Sequence, residues 1–322
     1  MSTSFLVGAI TIGVVLLYGC VGEIIIEKAG HLNLGIPGIM CMGTAGGCYG
    51  ASLYMSMIAD QNSPSLLLLA IFSILFSTLF AGFGGLIYAF FTVSLRCNQN
   101  ITGLALTTFG SGFAQFFMDN VVERSYLNNA AKTLSKGIPV LSEWGWFGEV
   151  FFSHGILIYL AIAIAICTSV VFNKTKVGLQ LRAVGESPST ADAAGINVTS
   201  YKYVAILTGS AVAGLGGVVY IMDYIGGSWE QASTIESFGW LSIALVIFTL
   251  WRPTLSIVGS IFFGGLYILS ATIKGITPSQ MQLVKIIPYV VTIIVLIITS
   301  AVGGKNVQAP HALGLNYYRE DR

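Results

Sequence analysis

LLLLAIFSILFSTLFAGFGGLIYAFFTVSL, from Leu66 to Leu95, runs for 30 residues without one charged side chain. A helix needs about 20 apolar residues to cross the hydrocarbon of a bilayer. No soluble domain has a use for an uncharged run of this length, so the stretch reads as a membrane span with length to spare for a kink. Working outward, comparable runs lie at Ser4–Ile26, Gly35–Ile58, Ile101–Met118, Phe152–Phe172 and Tyr201–Met222. Three more follow at Phe238–Trp251, Leu255–Ile273 and Ile286–Val302. The run at Phe238–Trp251 is short and is expected to be bent or discontinuous. Long apolar runs joined by short polar links exclude a β-barrel, whose strands alternate with period two.

Composition agrees. Of 322 residues, 55% are hydrophobic and 9% charged, against about 25% charged in an average soluble domain. The net charge of +1 leaves no basic face for nucleic acid. Cys20, Cys41, Cys48, Cys97 and Cys167 sit in or beside apolar runs without metal-ligand spacing, as small packing residues do. Soluble enzyme, disulfide scaffold and nucleic-acid binder are thereby excluded. The expected fold is all-α: a polytopic transmembrane helix bundle of about nine spans (eight to ten), forming one domain over residues 1–322.

Loop charges orient it. With the N-terminus outside, the inner side carries Lys28, Arg96, Lys174, Lys176, Arg182, Lys202, Arg252, Lys305, Arg319 and Arg322. The outer side then carries only Arg124, Lys132, Lys136, Lys274 and Lys285. N-out and C-in follows. The opening residues lack a basic region and a cleavage site, so Ser4–Ile26 reads as a retained span. An external loop is expected at about 119–151, with Trp144 and Trp146 as interface markers, and a cytoplasmic loop at about 173–200.

Glycine is abundant, 38 of 322, against about 7% usually. Gly43/Gly47 and Gly46/Gly50 form overlapping GxxxG pairs. Ala205, Gly209, Ala213 and Gly217 recur every fourth residue, as do Ser256, Ser260 and Gly264. Such stripes let backbones approach closely, either inside one subunit or along a pathway or subunit seam.

No catalytic centre and no metal site emerges. His31, His154 and His311 are far apart and read as boundary residues. Gly303-Gly304-Lys305-Asn306 ends like a phosphate loop, but that motif needs Gly where Thr299 stands and Ser or Thr where Asn306 stands. It reads as a basic interfacial cap, so the chain hydrolyses no ATP and holds no cofactor itself. Asn197-Val198-Thr199 fits a glycosylation sequon but lies on the inner side. Glu23, Asp223 and Glu236 stand near span ends, where charge is costly; Glu23 is either functional or a carboxylate snorkelling beside Glu27 and Lys28.

The cytoplasmic loop is the most informative segment: Val177-Gly178-Leu179-Gln180-Leu181-Arg182-Ala183-Val184-Gly185-Glu186-Ser187-Pro188-Ser189-Thr190-Ala191-Asp192-Ala193-Ala194-Gly195-Ile196-Asn197. It predicts a short helix with both ends specified. Ser187 is a good N-cap and Pro188 suits the first helical position. Ala191, Ala193 and Ala194 favour helix, and Gly195 supplies the left-handed residue after it. A helix of two turns is unstable alone in water, so it docks on its own bundle or on a cytoplasmic partner.

On Gly178, Leu179, Leu181–Gly185, Pro188, Ala191, Ala194, Gly195 and Ile196 the loop resembles that of the permease family of bacterial ABC importers for branched-chain amino acids, ribose and nucleosides. Three further stretches agree in order: Glu27–Gly38, Asn98–Leu106, and Gly239–Phe248 with Trp251-Arg252-Pro253. Glu27-Lys28-Ala29-Gly30 before Leu32-Asn33-Leu34-Gly35 is most similar to the nucleoside-type permeases served by a basic-membrane-lipoprotein receptor. Those commonly carry Glu in place of Pro37 and an apolar residue in place of His31.

The resemblance implies a multi-pass permease in the bacterial cell membrane. Its partners would be a second permease subunit of different sequence, ATPase subunits carrying ATP and Mg, an external substrate-binding lipoprotein and membrane lipid. It makes Pro188–Gly195 the coupling helix, with Arg182, Gly185, Glu186, Pro188, Ala191, Ala194, Gly195 and Ile196 as ATPase-coupling residues. Arg182 and Glu186 are expected to seat that helix. For the substrate pathway, Pro37 should break the helix and leave backbone groups free beside Asn33. This marks Asn33, Gly35 and Gly38, together with Asn100, Thr107, Thr108 and Ser111; Thr107 and Ser111 are one turn apart. The expected function is ATP-driven import of nucleosides by alternating access. A monosaccharide or branched-chain amino acid importer, or an ion-coupled secondary transporter, are the alternatives.

Overall fold

The computed structural model describes residues 3–61, 63–139, 141–273, 275, 277–302 and 309–318. Lys274, Lys305, Arg319 and Arg322 of the charge count, and the Gly303–Asn306 cap, lie outside them. Among the described residues every regular element is a helix. The long ones are α1 (Thr3–Glu27), α2 (Ile36–Met57), α3 (Leu66–Ala89) and α4 (Gln99–Asn120). The short α5 (Leu127–Leu134) and α6 (Gly145–Phe152) occupy the loop expected at 119–151. Then come α7 (Ile156–Lys174), α8 (Lys176–Glu186), α9 (Pro188–Ala193) and α10 (Val198–Val219). The chain continues through α11 (Ala232–Phe248), α12 (Pro253–Thr272), α13 (Pro278–Lys285) and α14 (Ile287–Val302).

Each expected span falls on one of these helices. The surplus length after Leu66 is absorbed by a widened π-helical turn at Phe90–Ser94, and α10 ends in another at Tyr220–Tyr224. The span expected at Phe238–Trp251 is displaced. Its helix already begins at Ala232, because Ala232, Ile235 and Phe238 are buried at helical spacing despite the polar residues between them. It ends at Phe248, after which Leu250 and Trp251 both adopt left-handed backbone, with φ of 54° and 53°. Such conformations are costly for large side chains; this turn is fixed by the Trp251 indole, which donates to the Glu27 carboxylate.

Among the described residues four helices, two of them with their π-helical turns, are long and apolar enough to cross a membrane outright: Thr3–Glu27, Leu66–Ser94, Ile156–Lys174 and Val198–Tyr224. They differ in surroundings. The most apolar windows of α1 and α10 are each 72% buried inside the protein, against 28% for α3 and α7. So α1 and α10 form the centre, while Leu67, Ile71, Leu75, Leu79 and Phe83 of α3 face outward as a lipid-compatible surface.

The centre is assembled on small residues. Gly22 of α1 lies against the Gly209 carbonyl of α10, and Gly209 against the Gly22 carbonyl. Gly43 of α2 meets the backbone of Gly214 on α10, while Gly46 and Gly50 meet α3 at Phe76 and Phe72. Gly264 of α12 sits on Ala9 and Gly13 of α1. The small-residue stripes are therefore internal seams of this chain. At Gly209 a Cβ would collide with carbonyl oxygen, which cannot move aside. Gly209→Val should lower the melting temperature of the purified chain by the equivalent of about 1–3 kcal/mol or more, the usual cost of overpacking. Gly112→Ala on α4, where a Cβ meets nothing within 4 Å, should instead be neutral or gain about 0.5–1 kcal/mol of helix stability. Equal shifts for the two would refute the seam.

Candidate coupling and translocation site

The loop at 173–200 folds as two capped helices. The Thr175 hydroxyl accepts from the Gly178 amide at 3.1 Å and starts α8. The Ser187 hydroxyl accepts from Thr190 at 3.4 Å and starts α9, with Pro188 in its first turn. At the other end, Gly195 has φ +82°. The Ile196 amide reaches the Ala191 carbonyl at 3.0 Å, and Gly195 that of Asp192 at 2.9 Å. That pair of bonds is a Schellman motif, so both predicted caps of α9 are present. The helix α8 was not foreseen: Val177, Leu179 and Leu181 alternate rather than follow a helical period, and its start is fixed by the Thr175 cap.

Seating follows from a small separate core. Val184 of α8, Ala191 of α9 and Val198 of α10 are buried together, with Ile196, Tyr201 and Tyr317 against them. The predicted coupling residues therefore divide. Ala191 is 3% exposed and faces inward; Gly185 is buried against the Lys28 carbonyl. These hold the helix to the bundle. Ser189, Thr190, Ala193 and Ala194 are exposed and form the outward face, with Gly195 at its end. Pro188 and Ile196 are half-buried between the two sets. Glu186 is exposed, and its carboxylate accepts from the His311 amide at 3.2 Å. Arg182 is half-buried on α8, and its Nε has no hydrogen-bond partner.

His311 belongs to a C-terminal strap, residues 309–318, for which the sequence gives no periodic signal. The Ala312 amide donates to the Gly185 carbonyl at 3.0 Å and Gly314 to Gly30 at 3.2 Å. The Tyr317 hydroxyl reaches Asp192 of α9 at 2.8 Å. Asn316 donates to the Arg96 carbonyl at 2.7 Å, and its Oδ1 accepts from Gln99 at 3.3 Å. One strap thus joins the coupling loop, the α1–α2 link and the start of α4.

The α1–α2 link, residues 28–35, is irregular and deeply buried, and every long neighbour contributes to it. Glu23 of α1 accepts from the Asn33 amide at 2.9 Å, and Asn33 Oδ1 from the Gly35 amide at 2.9 Å. Tyr88 of α3 donates to the Leu32 carbonyl at 2.7 Å; Gln99 of α4 accepts from the Leu32 amide at 2.8 Å. Thr107 of α4 donates to the Leu34 carbonyl at 2.9 Å. The expectation of free backbone groups beside Asn33 is therefore corrected: Glu23 and α4 take them up. Glu23 does not snorkel either, being fully buried in this role. His31 is 1% exposed rather than a boundary residue, edge-on to Tyr88 at 6.5 Å between ring centroids. Burial, with the nearby Lys202 adding to it, pushes its imidazole well below the usual range, so the ring is neutral at pH 7.

The predicted pathway residues also divide. Asn33, Gly35, Gly38 and Thr107 are buried in the seam between α2 and α4, where Gly38 lies against Leu106 and Gly110. Asn100, at the start of α4, and Thr108 are exposed, and Ser111 is half-buried. Thr108 returns its hydroxyl to the Leu104 carbonyl at 3.3 Å. Thr107 and Ser111 are one turn apart, but only Thr107 is fully inside.

Irregular backbone is thus clamped inside a bundle of apolar helices, beside a surface helix tied to it. The family model described as branched-chain amino acid transport system / permease component matches residues 5–296, and the chain belongs to that family. It is a multi-pass integral membrane protein and, as the permease component, non-catalytic. NupC of Lactococcus lactis subsp. cremoris, a nucleoside ABC transporter permease protein, is 32% identical over 94% of this chain and 93% of its own. TsgC13 of Haloferax volcanii, named for a glucose ABC transporter, is 30% identical over 78% of this chain and 71% of its own. NupQ of Bacillus subtilis, a guanosine ABC transporter permease protein, is 28% identical over 95% and 94%.

Ala191→Glu would bury an unpaired carboxylate, which costs several kcal/mol, and should unseat α9. Hydrogen exchange of the amides at 188–198 should accelerate strongly. Ala194→Glu, on the exposed face, should leave that exchange unchanged. If both variants behave alike, α9 is not seated as described.

Proposed function

We propose that this chain is the permease subunit of an ATP-driven ABC importer for nucleosides. The observation that carries the reading is α9: a two-turn helix capped at both ends, seated through Ala191, and offering Ser189, Thr190, Ala193 and Ala194 to a cytoplasmic partner. ATP and Mg would act on that partner, a separate ATPase. A second permease subunit of different sequence and an external substrate-binding lipoprotein complete the assembly. The whole of residues 1–322 is read as one permease domain with about nine crossings, N-terminus out and C-terminus in, which puts α9 on the ATPase side.

Closure of the ATPases would push α9, and the push has two routes inward. One is the small core shared by α8, α9 and α10. The other is the strap, which joins Asp192 and Gly185 to Gln99 and to Gly30. Both reach the Asn33–Gly38 link, whose geometry depends on Glu23, Tyr88, Gln99 and Thr107. Reorienting that link against α4 is the step we assign to alternating access. Asn33, Gly35, Gly38 and Thr107 act as the moving seam; Asn100, Thr108 and Ser111 of α4 are its more accessible polar residues, where a pathway shared with the second permease would run.

Nucleosides are favoured because NupC and NupQ align over nearly all of this chain. TsgC13 favours a sugar as the second reading. Uptake of labelled guanosine, ribose, glucose and leucine, with cellular ATP depleted and restored, separates them. Guanosine uptake that requires this chain and ATP is expected, and Gly195→Leu, which forces a branched side chain to φ +82°, should abolish it while membrane insertion persists. Sugar or leucine uptake would replace the substrate. Uptake that survives ATP loss and follows an ion gradient would overturn the mechanism.

A further inference from the structure

Between the coupling loop, the strap and the bundle lies a cavity of about 570 Å3 that the mechanism above does not use. Its walls come from the end of α3, the first turn of α10, the Gly195–Asn197 turn, and Asn316 and Tyr317 of the strap. Lys202 lines it, yet is 3% exposed and has no carboxylate partner among the described residues. A buried ammonium without a counter-charge is expensive. His31 lines the same wall, 1% exposed, with neither ring nitrogen hydrogen-bonded.

The first turn of α10 adds donors of its own. Asn197 caps it by accepting from the Ser200 amide at 3.0 Å. The amides of Val198 and Thr199, at the first two helical positions, have no carbonyl within the helix to bond. The Thr199 and Ser200 hydroxyls line the cavity beside them. Arg96 is also in the wall, its guanidinium 4.8 Å from the centre of the Tyr318 ring. The acid in this wall is Asp192, whose Oδ2 accepts from Tyr317. Among the described residues this wall brings the Lys202 ammonium, the His31 imidazole, a helix start and hydroxyls together, with Arg96 and Asp192 at its edge.

From this convergence we infer a binding site for a phosphate group, carried by a small cytoplasmic phosphomonoester or by a lipid headgroup. The Lys202 ammonium supplies the charge, the α10 amides and Thr199 hydroxyl supply directed donors, and His31 gives a further hydrogen bond. The free oxygens of a phosphate accept charge-assisted hydrogen bonds from such donors. A ligand there would bridge Lys202 of the bundle to the turn that ends α9, tightening the coupling helix onto its seat. The site concerns this chain's own residues and stands whatever cargo is carried.

The test is direct binding to the full chain in phosphatidylcholine nanodiscs, titrated with inorganic phosphate and with adenosine monophosphate. A parallel sample in phosphatidylglycerol nanodiscs, without soluble ligand, is followed by melting temperature. Saturable binding of either soluble probe is expected. Lys202→Met, which keeps the stem and removes the charge, should weaken it about tenfold or more, the loss expected for one charge-assisted hydrogen bond. Asp192→Asn should strengthen it. Stabilisation by phosphatidylglycerol alone, lost in Lys202→Met, assigns the same site to a lipid headgroup. No binding and no lipid effect, or binding indifferent to Lys202→Met and Asp192→Asn, overturns the proposal.

Discussion

Close backbone approach between α1 and α10 is the constraint on which the other features rest. Lipid tails are as apolar as leucine, so helices in a bilayer gain little from hiding apolar surface against one another. They gain from van der Waals contact and from hydrogen bonds that lipid cannot offer. Gly22 and Gly209 remove the side chains at one crossing, and Gly43 and Gly214 do so at the next. Only at that separation can α1 be enclosed by α10, α11, α12 and the start of α2 together. Enclosure of α1 in turn makes a buried Glu23 feasible, because neighbours now stand where lipid otherwise would.

That consequence governs the end of the bundle where the α1–α2 link lies. A carboxylate inside a membrane protein needs donors. Glu23 has the Asn33 amide and Glu27 the Trp251 indole. These two bonds fix the α1–α2 link and the α11–α12 turn, the latter in a backbone conformation that large residues otherwise avoid. The link then presents Gly30 where Gly185 and Gly314 converge, so the coupling loop and the strap are laid onto a surface the buried acids have already set. Polar groups here act as positioning elements whose removal would leave backbone unsatisfied in a low-dielectric interior.

Much of this was legible in the sequence, for identifiable reasons. Uninterrupted apolar length reports a membrane helix almost directly, which is why each expected span has its helix. Caps are local chemistry, so Ser187, Pro188 and Gly195 announced both ends of α9. The beginning of α11 was hidden because Ser233, Thr234 and Glu236 interrupt the apolar run, although helix and burial continue through them. The strap was illegible because its hold on the bundle is through backbone amides and a few side-chain hydrogen bonds, which leave no periodicity. Inside the predicted pathway, the residue types were right for lining polar space, but type cannot reveal facing. Thr107 and Thr108 are chemically identical neighbours, one bonded to Leu34 inside the seam and the other turned outward.

The division of α9 between a buried seat and an exposed face follows from the same limit. A two-turn helix has too few residues to be stable alone, so at least one face must be spent on the bundle. Here Ala191 serves that face, with Val184 and Val198 beneath it. Small residues suit the opposite face for another reason: Ala193 and Ala194 expose little side chain, so a partner could approach the helix backbone closely. Force applied to such a face is not lost in side-chain rearrangement. It passes to a rigid seat, and through Asp192 and Gly185 to a strap bonded to α4. The strap's hydrogen bonds to Gly185, Asp192, Gln99 and Gly30 also keep the loop in register with the α1–α2 link.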